Sequence, residues 1–370
     1  MPIGSLTRAA VVALVVACLA IPAIAQERVV NVYNWSDYID PKVIEDFTKE
    51  TGIKVRYDVF DSNDVLETKM LAGRSGYDII VPSASYLQRM IQAGVVQKPN
   101  RAKIPNLKYA WPEIMRRLAA YDPGNEYAVN YMWGTTGIGY NVGKAKERGF
   151  EAMNTWDVVF KPENLAKFKD CGVHVLDAPD ELIPAALKYL GLNPDSQQPA
   201  EIERAGELLM KIRGNVKKFH SSEYINALAT GEICLVVGWS GDIFQAKSRA
   251  KEAAEKTGRP LIDIDYALPK EGALMWFDSI AIPKDAEHVE EAHAFIDFLM
   301  RPEIAARNTN FVAYANGNLE SQKHVDKDIL GNRSVYPDAA AMQRLYTTRP
   351  YPQDVQRVVT RVWTRVKSGR

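Results

Sequence analysis

The chain has 370 residues, of which 46% are hydrophobic and 25% charged, and its formal net charge is zero. This length favours two domains or lobes, and the hydrophobic content is sufficient for a buried core in each. The balanced charge argues against a basic nucleic-acid-binding face or an acidic tail, so we expect no nucleic-acid partner.

The N-terminus has the pattern of an export signal. Arg8 precedes an apolar run over 9–20, and Ala23-Ile24-Ala25 has small residues where signal peptidase cleaves. This pattern predicts a signal peptide over residues 1–25 and a periplasmic location. An alternative is lipoprotein cleavage, which would leave a lipidated Cys18. No other segment reaches the ~18 apolar residues of a transmembrane helix.

Two cysteines, Cys171 and Cys234, remain after removal of the signal peptide. An oxidising compartment favours a disulfide between them, and the alternative is two separate buried thiols. Their spacing matches neither a metal site nor a redox motif.

The first part of the mature chain alternates between strands and helices. Asp40 and Pro41 are typical of a helix start, and Gly52 of its end. Strands and helices follow in turn, which predicts βαβ units with parallel strands. The predicted elements are a first strand within the β-rich run 29–38, strands at 53–60 and 77–82, and helices at 41–52, 63–71 and from 83–85 to 94.

A β-prone, glycine-interrupted segment at 127–141 is the predicted crossing into a second lobe. That lobe again alternates strands and helices, including a helix at 199–212, and a strand at 262–272 leads back. These crossings predict an α/β fold with two lobes, a hinge and a ligand cleft. The expected lobes are 26–133 with 262–312, and 134–261 with 313–370; the last predicted helices are 288–310, 338–347 and 353–367.

An aromatic residue and a carboxylate recur together at or just after the ends of predicted strands. The apolar run 233–238 is typical of a buried parallel strand, and the pattern follows it. In open α/β sheets, ligands bind beyond the carboxyl ends of the strands. The pairs are Trp239 with Asp242, Trp35 with Asp37, and Trp276 with Asp278.

This combination predicts a pocket for a cationic ligand with an apolar body. Burying an ammonium costs several kcal/mol unless it is paired, and an aromatic face adds ~0.5–2 kcal/mol. A linear diamine or polyamine has the matching chemistry. Each acid also has a structural interpretation: Asp37 caps a turn, Asp242 caps a helix, and Glu181 belongs to the first turn of a helix.

Catalytic patterns are absent from the sequence. The five histidines are scattered, and no GxSxG, HExxH or P-loop motif occurs. We therefore expect no catalytic residue, metal or cofactor. The remaining catalytic alternative is a secreted carbohydrate-active enzyme that uses two carboxylates.

Several stretches, among them VYNWSDYI, YDIIVPSASYL, ICLVVGWSGD and MWFDSIAIP, carry a resemblance across the mature chain. The sequence resembles the periplasmic polyamine-binding proteins of bacterial ABC transporters, the putrescine and spermidine receptors. The resemblance implies the type II-like, two-lobe periplasmic binding protein fold, a monomer, and delivery of the ligand to an inner-membrane ABC permease. A polyamine sensor is the alternative within this fold.

The resemblance also implies individual roles. It pairs Cys171 with Cys234. For the choice of polyamine the pattern is mixed: Trp276 resembles spermidine-preferring receptors, whereas Ser36, Ala178 and Ser85 resemble putrescine-preferring ones. Spermidine is ranked first, with putrescine close behind. The implied ligand-binding residues are Trp35, Ser36, Asp37, Tyr38, Ser83, Ser85, Glu181, Trp239, Asp242, Trp276, Asp278 and Tyr314.

Overall fold

The computed structural model describes residues 27–370. The predicted signal peptide over 1–25 and the alternative lipidation site at Cys18 lie outside these residues. No helix in this range is both long and hydrophobic enough to cross a bilayer.

The strands form one mixed sheet in the order β2-β1-β3-β10-β5-β8-β6-β7, with β4 beside β10 and with β9 and β11 beside β5. They are β1 Val29–Trp35, β2 Lys54–Phe60, β3 Ile79–Ile80, β4 Val96–Gln97, β5 Ala128–Asn141, β6 Val173–Val175, β7 Lys218–Phe219, β8 Leu235–Trp239, β9 Ile264–Ala267, β10 Met275–Pro283 and β11 Ala315–Asn316.

Helices pack against this sheet. The longer ones are α1 Pro41–Thr51, α2 Asn63–Ala72, α3 Ala84–Gln92, α4 Pro112–Leu118, α5 Val142–Glu147, α8 Pro179–Tyr189, α9 Pro199–Ile212, α10 Tyr224–Ala229, α11 Ser240–Thr257, α12 Val289–Leu299, α13 Pro302–Val312 and α16 Gln353–Ser368. Among them, α3 and α12 pack against β10, and α11 packs against β8. Four-residue helices are α6 Asp157–Phe160, α7 Pro162–Leu165, α14 Lys327–Leu330 and α15 Ala339–Met342. Short 3₁₀ turns span Arg101–Lys103, Pro105–Tyr109, Pro123–Asn125, Ala166–Phe168, Arg213–Asn215 and Glu320–Lys323.

Two groups of parallel strands confirm the predicted βαβ units. β1 is parallel to β2 and β3, and β6 is parallel to β7 and β8. The first helix begins as predicted, because the Asp40 side chain accepts a hydrogen bond from the Lys42 N–H and Pro41 occupies the first turn. It ends at Gly52, whose φ of 69° is readily adopted only by glycine.

The long strand β5 joins the two halves of the molecule. Its residues 128–135 pair with β10, whereas residues 136–141 pair with β8 and β9. One buried cluster contains Val30, Ile80 and Phe295, and a second contains Trp156 and Leu235. The two-lobe α/β fold is thereby confirmed; the residue boundaries of the lobes stay a prediction.

The C-terminal segment contacts more than one core. Val335 and Tyr336 join a third buried cluster with Trp133. Val359 and Val362 on α16 belong to the cluster of β8. The segment between them therefore runs alongside both halves of the molecule.

Local predictions were wrong in several places. The strand expected at 77–82 is only Ile79–Ile80, and the helix expected at 338–347 is only α15. Trp276 and Asp278 lie at the start of β10, not after a strand. They still reach the ligand edge, because β10 is antiparallel to β3.

The predicted disulfide is confirmed. Cys171 and Cys234 are bonded, and their Cα atoms are 5.6 Å apart. The bond joins the segments that enter β6 and β8, at the opposite end of these strands from Trp239.

Candidate functional site

A cavity lies between the two lobes, where the carboxyl ends of β1, β2, β3, β6, β7 and β8 meet the start of β10. Ten of the twelve residues predicted from the resemblance line it, and Asp37 and Ser85 do not. The lining consists of Trp35, Ser36, Tyr38, Phe60, Asp61, Asn63, Ser83, Ala178, Asp180, Glu181, Ser221, Ser222, Ile225, Trp239, Asp242, Trp276, Asp278 and Tyr314.

The charge of this lining has one sign. The acids are Asp61, Asp180, Glu181, Asp242 and Asp278, and none of the lining residues in the described chain is Lys, Arg or His. Buried carboxylates without a positive partner are unfavourable. The cavity therefore matches a ligand that supplies the positive charge.

Asp278 is held by hydroxyl groups of the first lobe. Ser83 Oγ donates to Asp278 Oδ1 over 2.6 Å, and the Tyr38 hydroxyl donates to Oδ2 over 2.8 Å. Burial raises the pKa of Asp278 to about 7, although both hydrogen bonds act in the opposite direction. Asn63 Nδ2 donates to Ser83 Oγ over 3.0 Å and so orients the serine.

Asp242 has the corresponding arrangement on the other side of the cleft. The hydroxyls of Tyr224 and Tyr314 each donate to its carboxylate over 2.6 Å. The Asp242 N–H in turn donates to the Tyr314 hydroxyl over 3.1 Å. Burial raises the pKa of Asp242 to about 6. Tyr314 belongs to the buried cluster of Val30 and Tyr224 to that of Leu235, so Asp242 accepts a hydrogen bond from each cluster.

Glu181 and Asp180 form an acidic pair at the start of α8. The indole N–H of Trp239 donates to Glu181 Oε1 over 3.2 Å, and the Thr136 hydroxyl donates to Oε2. Burial and the neighbouring Asp180 raise the pKa of Glu181. Burial and Asp64 raise the pKa of Asp180. A cation between these groups would relieve this repulsion.

Aromatic rings form the walls between the acids. Trp35 and Trp239 come from opposite lobes and meet edge to face, with centroids 5.6 Å apart. Trp239 approaches Trp276 at 6.4 Å, and Trp276 approaches Tyr314 at 5.3 Å. Tyr38 meets Tyr314 at 5.3 Å. Such walls can pack against methylene groups and attract ammonium groups.

Asp37 and Ser85 lie outside the cavity lining. Asp37 Oδ1 accepts a hydrogen bond from Arg249 Nη2 over 2.6 Å, so its charge already has a partner. Ser85 is half-buried on α3, two residues beyond Ser83. The aligned motifs did not distinguish these residues from their neighbours.

Some lining residues were missed although a strand-end signal was present. Phe60 is the last residue of β2, Asp61 and Asn63 follow this strand, and Ser221 and Ser222 follow β7. Trp239 was located by the expectation that ligands bind beyond the carboxyl ends of the strands, and this expectation applies to both segments as well. Nothing within the described range groups three or more His, Cys, Asp or Glu side chains in a way that could hold a metal.

Comparison with known proteins agrees with this architecture. The profile of the bacterial extracellular solute-binding protein family matches residues 42–330. The chain belongs to this family. It is 53% identical over 348 residues to the putrescine-binding periplasmic protein SpuD of Pseudomonas aeruginosa, covering 94% of both chains.

Two further relatives are similar over nearly their whole length. The putrescine-binding periplasmic protein PotF of Escherichia coli is 46% identical, with 94% of this solute-binding protein and 93% of PotF covered. A solved structure described as a putative spermidine/putrescine ABC transporter from Listeria monocytogenes superposes with a TM-score of 0.81 at 31% identity, covering 93% and 100% of the two chains.

Proposed function

We propose that this solute-binding protein captures a linear polyamine between its lobes, without changing it chemically, and delivers it to an inner-membrane ABC permease. The observation that carries the proposal is the cavity lining, which has five acids and aromatic walls. Among the described residues that line the cavity, none is basic. Two relatives are named as putrescine-binding proteins, and one solved structure is described as a putative spermidine/putrescine transporter. These names support the same ligand class.

The cavity suggests an orientation for the ligand. Asp278 and Asp242 are close enough for the charge of Asp242 to raise the pKa of Asp278. One ammonium group binds at these two carboxylates. A second binds at the pair of Asp180 and Glu181, and the methylene chain packs against the tryptophan walls between them. Each ammonium then has acceptors, which offsets its desolvation.

The order of ligands is part of the proposal. The resemblance ranks spermidine first, but the relatives at 53% and 46% identity are named for putrescine. We therefore place putrescine ahead of spermidine and expect both to bind. We also propose a periplasmic monomer whose lobes comprise 26–133 with 262–312, and 134–261 with 313–370.

Calorimetry of the mature chain tests the proposal. Putrescine, cadaverine and spermidine are titrated, with glycine and glucose as controls. Micromolar binding corresponds to about −8 kcal/mol, and we expect at least this for putrescine and spermidine. Absence of heat with all three amines would contradict the proposal.

Two further measurements address the alternatives. Recovery of the amine unchanged after incubation, together with no cleavage of glycoside substrates, separates binding from catalysis. The receptor role predicts that the loaded protein stimulates the ATPase of the reconstituted permease. Stimulation of a membrane kinase instead would favour the sensor.

A further inference from the structure

Two glycines that are not part of the cavity lining lie against two of its aromatic side chains. Gly134 on β5 is the cross-strand partner of Trp276 on β10. A Cβ atom on Gly134 would lie 2.6 Å from Trp276 Cζ2 and 2.8 Å from Cη2. A Cβ atom on Gly241 of α11 would lie 2.5 Å from three ring atoms of Tyr314. The two rings rest against these glycines.

Backbone conformation does not explain these glycines. Neither is among the residues with positive φ, so alanine could adopt the same backbone dihedrals. What alanine lacks is space, because contacts below 3.0 Å require one of the two groups to move. The surrounding core is close-packed, and a methyl group inserted there displaces its neighbours.

The cavity is the open direction for such a displacement. Trp276 and Tyr314 both line the cavity, and the centroids of their rings are 5.3 Å apart. Behind Trp276, a Cβ on Gly134 would also approach Ser240 Oγ at 3.1 Å. Rings pushed from behind therefore move toward the ligand and toward the carboxylates of Asp242 and Asp278.

We propose that Gly134 and Gly241 are positioning residues that set the width of the ligand slot, by letting Trp276 and Tyr314 stand back far enough for a linear amine. The choice of ligand rests on the proposed function, whereas the position of the rings does not. Substitution at either glycine narrows the slot without altering any group that contacts the ligand.

The principal test is Gly134→Ala, measured by calorimetry with putrescine and spermidine. We expect at least about tenfold weaker binding of both, because the overpacked ring occupies ligand space. Gly206→Ala is the matched control, since a Cβ there would crowd Val362 Cγ1 at 2.4 Å between α9 and α16, away from the cavity. The control should bind like the wild type.

A rescue variant separates positioning from a general structural effect. Phenylalanine lacks the Cζ2 and Cη2 atoms that Gly134→Ala would meet. Trp276 Nε1 has no hydrogen-bond partner in the described chain, so Trp276→Phe removes no internal hydrogen bond. We expect the double variant to bind as tightly as Trp276→Phe alone, which is the non-additivity of two groups in contact.

Several outcomes would overturn the inference. An affinity of Gly134→Ala within twofold of the wild-type affinity would overturn it. It would also be overturned if the loss of affinity in the double variant equalled the product of the losses in the two single variants. If Gly134→Ala does not fold, Gly241→Ala takes its place, and wild-type binding by that variant would overturn it. A crystal structure of a ligand-free variant with the ring unmoved would also overturn it. All of these outcomes concern variants and leave the proposed function untouched, because the proposed function fails only if the wild type binds no polyamine.

Discussion

Asp37 and Arg249 form an ion pair across the cleft, with Oδ1 and Nη2 2.6 Å apart. Asp37 lies in the loop after β1, and Arg249 lies on α11 of the other lobe. Their side chains are 42% and 32% exposed, so the pair contributes at most about 1 kcal/mol. Because it joins the lobes, this contribution favours the arrangement in which the cleft is closed.

Replacing Arg249 by methionine should therefore speed ligand release. We expect the dissociation rate to rise by up to about fivefold, the equivalent of 1 kcal/mol, with little change in the melting temperature. Stopped-flow tryptophan fluorescence measures the rate. Arg301→Met is the control, since it removes an exposed pair with Glu50 within the first lobe. Equal rates for the two variants would show that the pair across the cleft has no role.

Asp278→Asn should weaken binding strongly without destabilising the empty protein. Truncating one partner of a buried charge pair costs about 2–5 kcal/mol, so we expect at least a thirtyfold loss of affinity. The raised pKa shows that the empty site disfavours the Asp278 charge. The melting temperature of the empty variant should thus be unchanged or higher. Calorimetry and thermal unfolding check both expectations, with Asp263→Asn as an exposed control.

Affinity and stability should respond to pH in opposite directions. In the folded state the pKa is about 7 for Asp278 and about 6 for Asp242, against about 3.9 for an unfolded aspartate. At pH values between about 4 and 7, these two aspartates bind more protons in the folded protein than in the unfolded chain. The contribution of these acids to stability is therefore complete below pH ~4 and is lost as the pH rises to 7.

Ligand binding needs the charged carboxylates, so affinity should rise from pH 5 and level off only above pH ~8, because the pKa of Glu181 is raised to about 8. At pH 6.5, binding should release protons, and the calorimetric heat should then differ between buffers of different ionisation enthalpy. Asp278→Asn is expected to reduce this difference. A flat pH profile of affinity for the wild type would contradict the assignment of these acids.

Removal of the disulfide should lower stability and spare binding. The bond closes a sequence separation of 63 residues, for which the chain-entropy relation gives about 4 kcal/mol. The Cys171→Ser/Cys234→Ser variant should melt at a lower temperature. It should keep its affinity at 25 °C, because the bond lies at the far end of β8 from Trp239. A loss of binding free energy as large as the loss of stability would contradict this expectation and would indicate that the two ends of β8 are coupled.

Parts of the site could be predicted because their signals are local. Trp239 and Asp242 follow an apolar run, and Trp35 and Tyr38 end another, so their residue types mark a strand end. Asp61 and Ser221 were missed because β2 and β7, the strands that they follow, are not buried apolar runs, although both are parallel strands of the same sheet. Gly134 gave no signal, because its proximity to Trp276 arises only from the pairing of β5 with β10.

The sequence by itself determined the element types, the crossings between the lobes and the edge at which acids and rings accumulate. These depend on hydrophobic period, helix caps and chain order, which neighbouring residues encode. Only the tertiary structure decided that Asp37 pairs with Arg249, that Ser85 stays out of the cavity, and that Tyr314 reaches Asp242. These depend on strand order and side-chain direction, which bring together groups far apart along the chain.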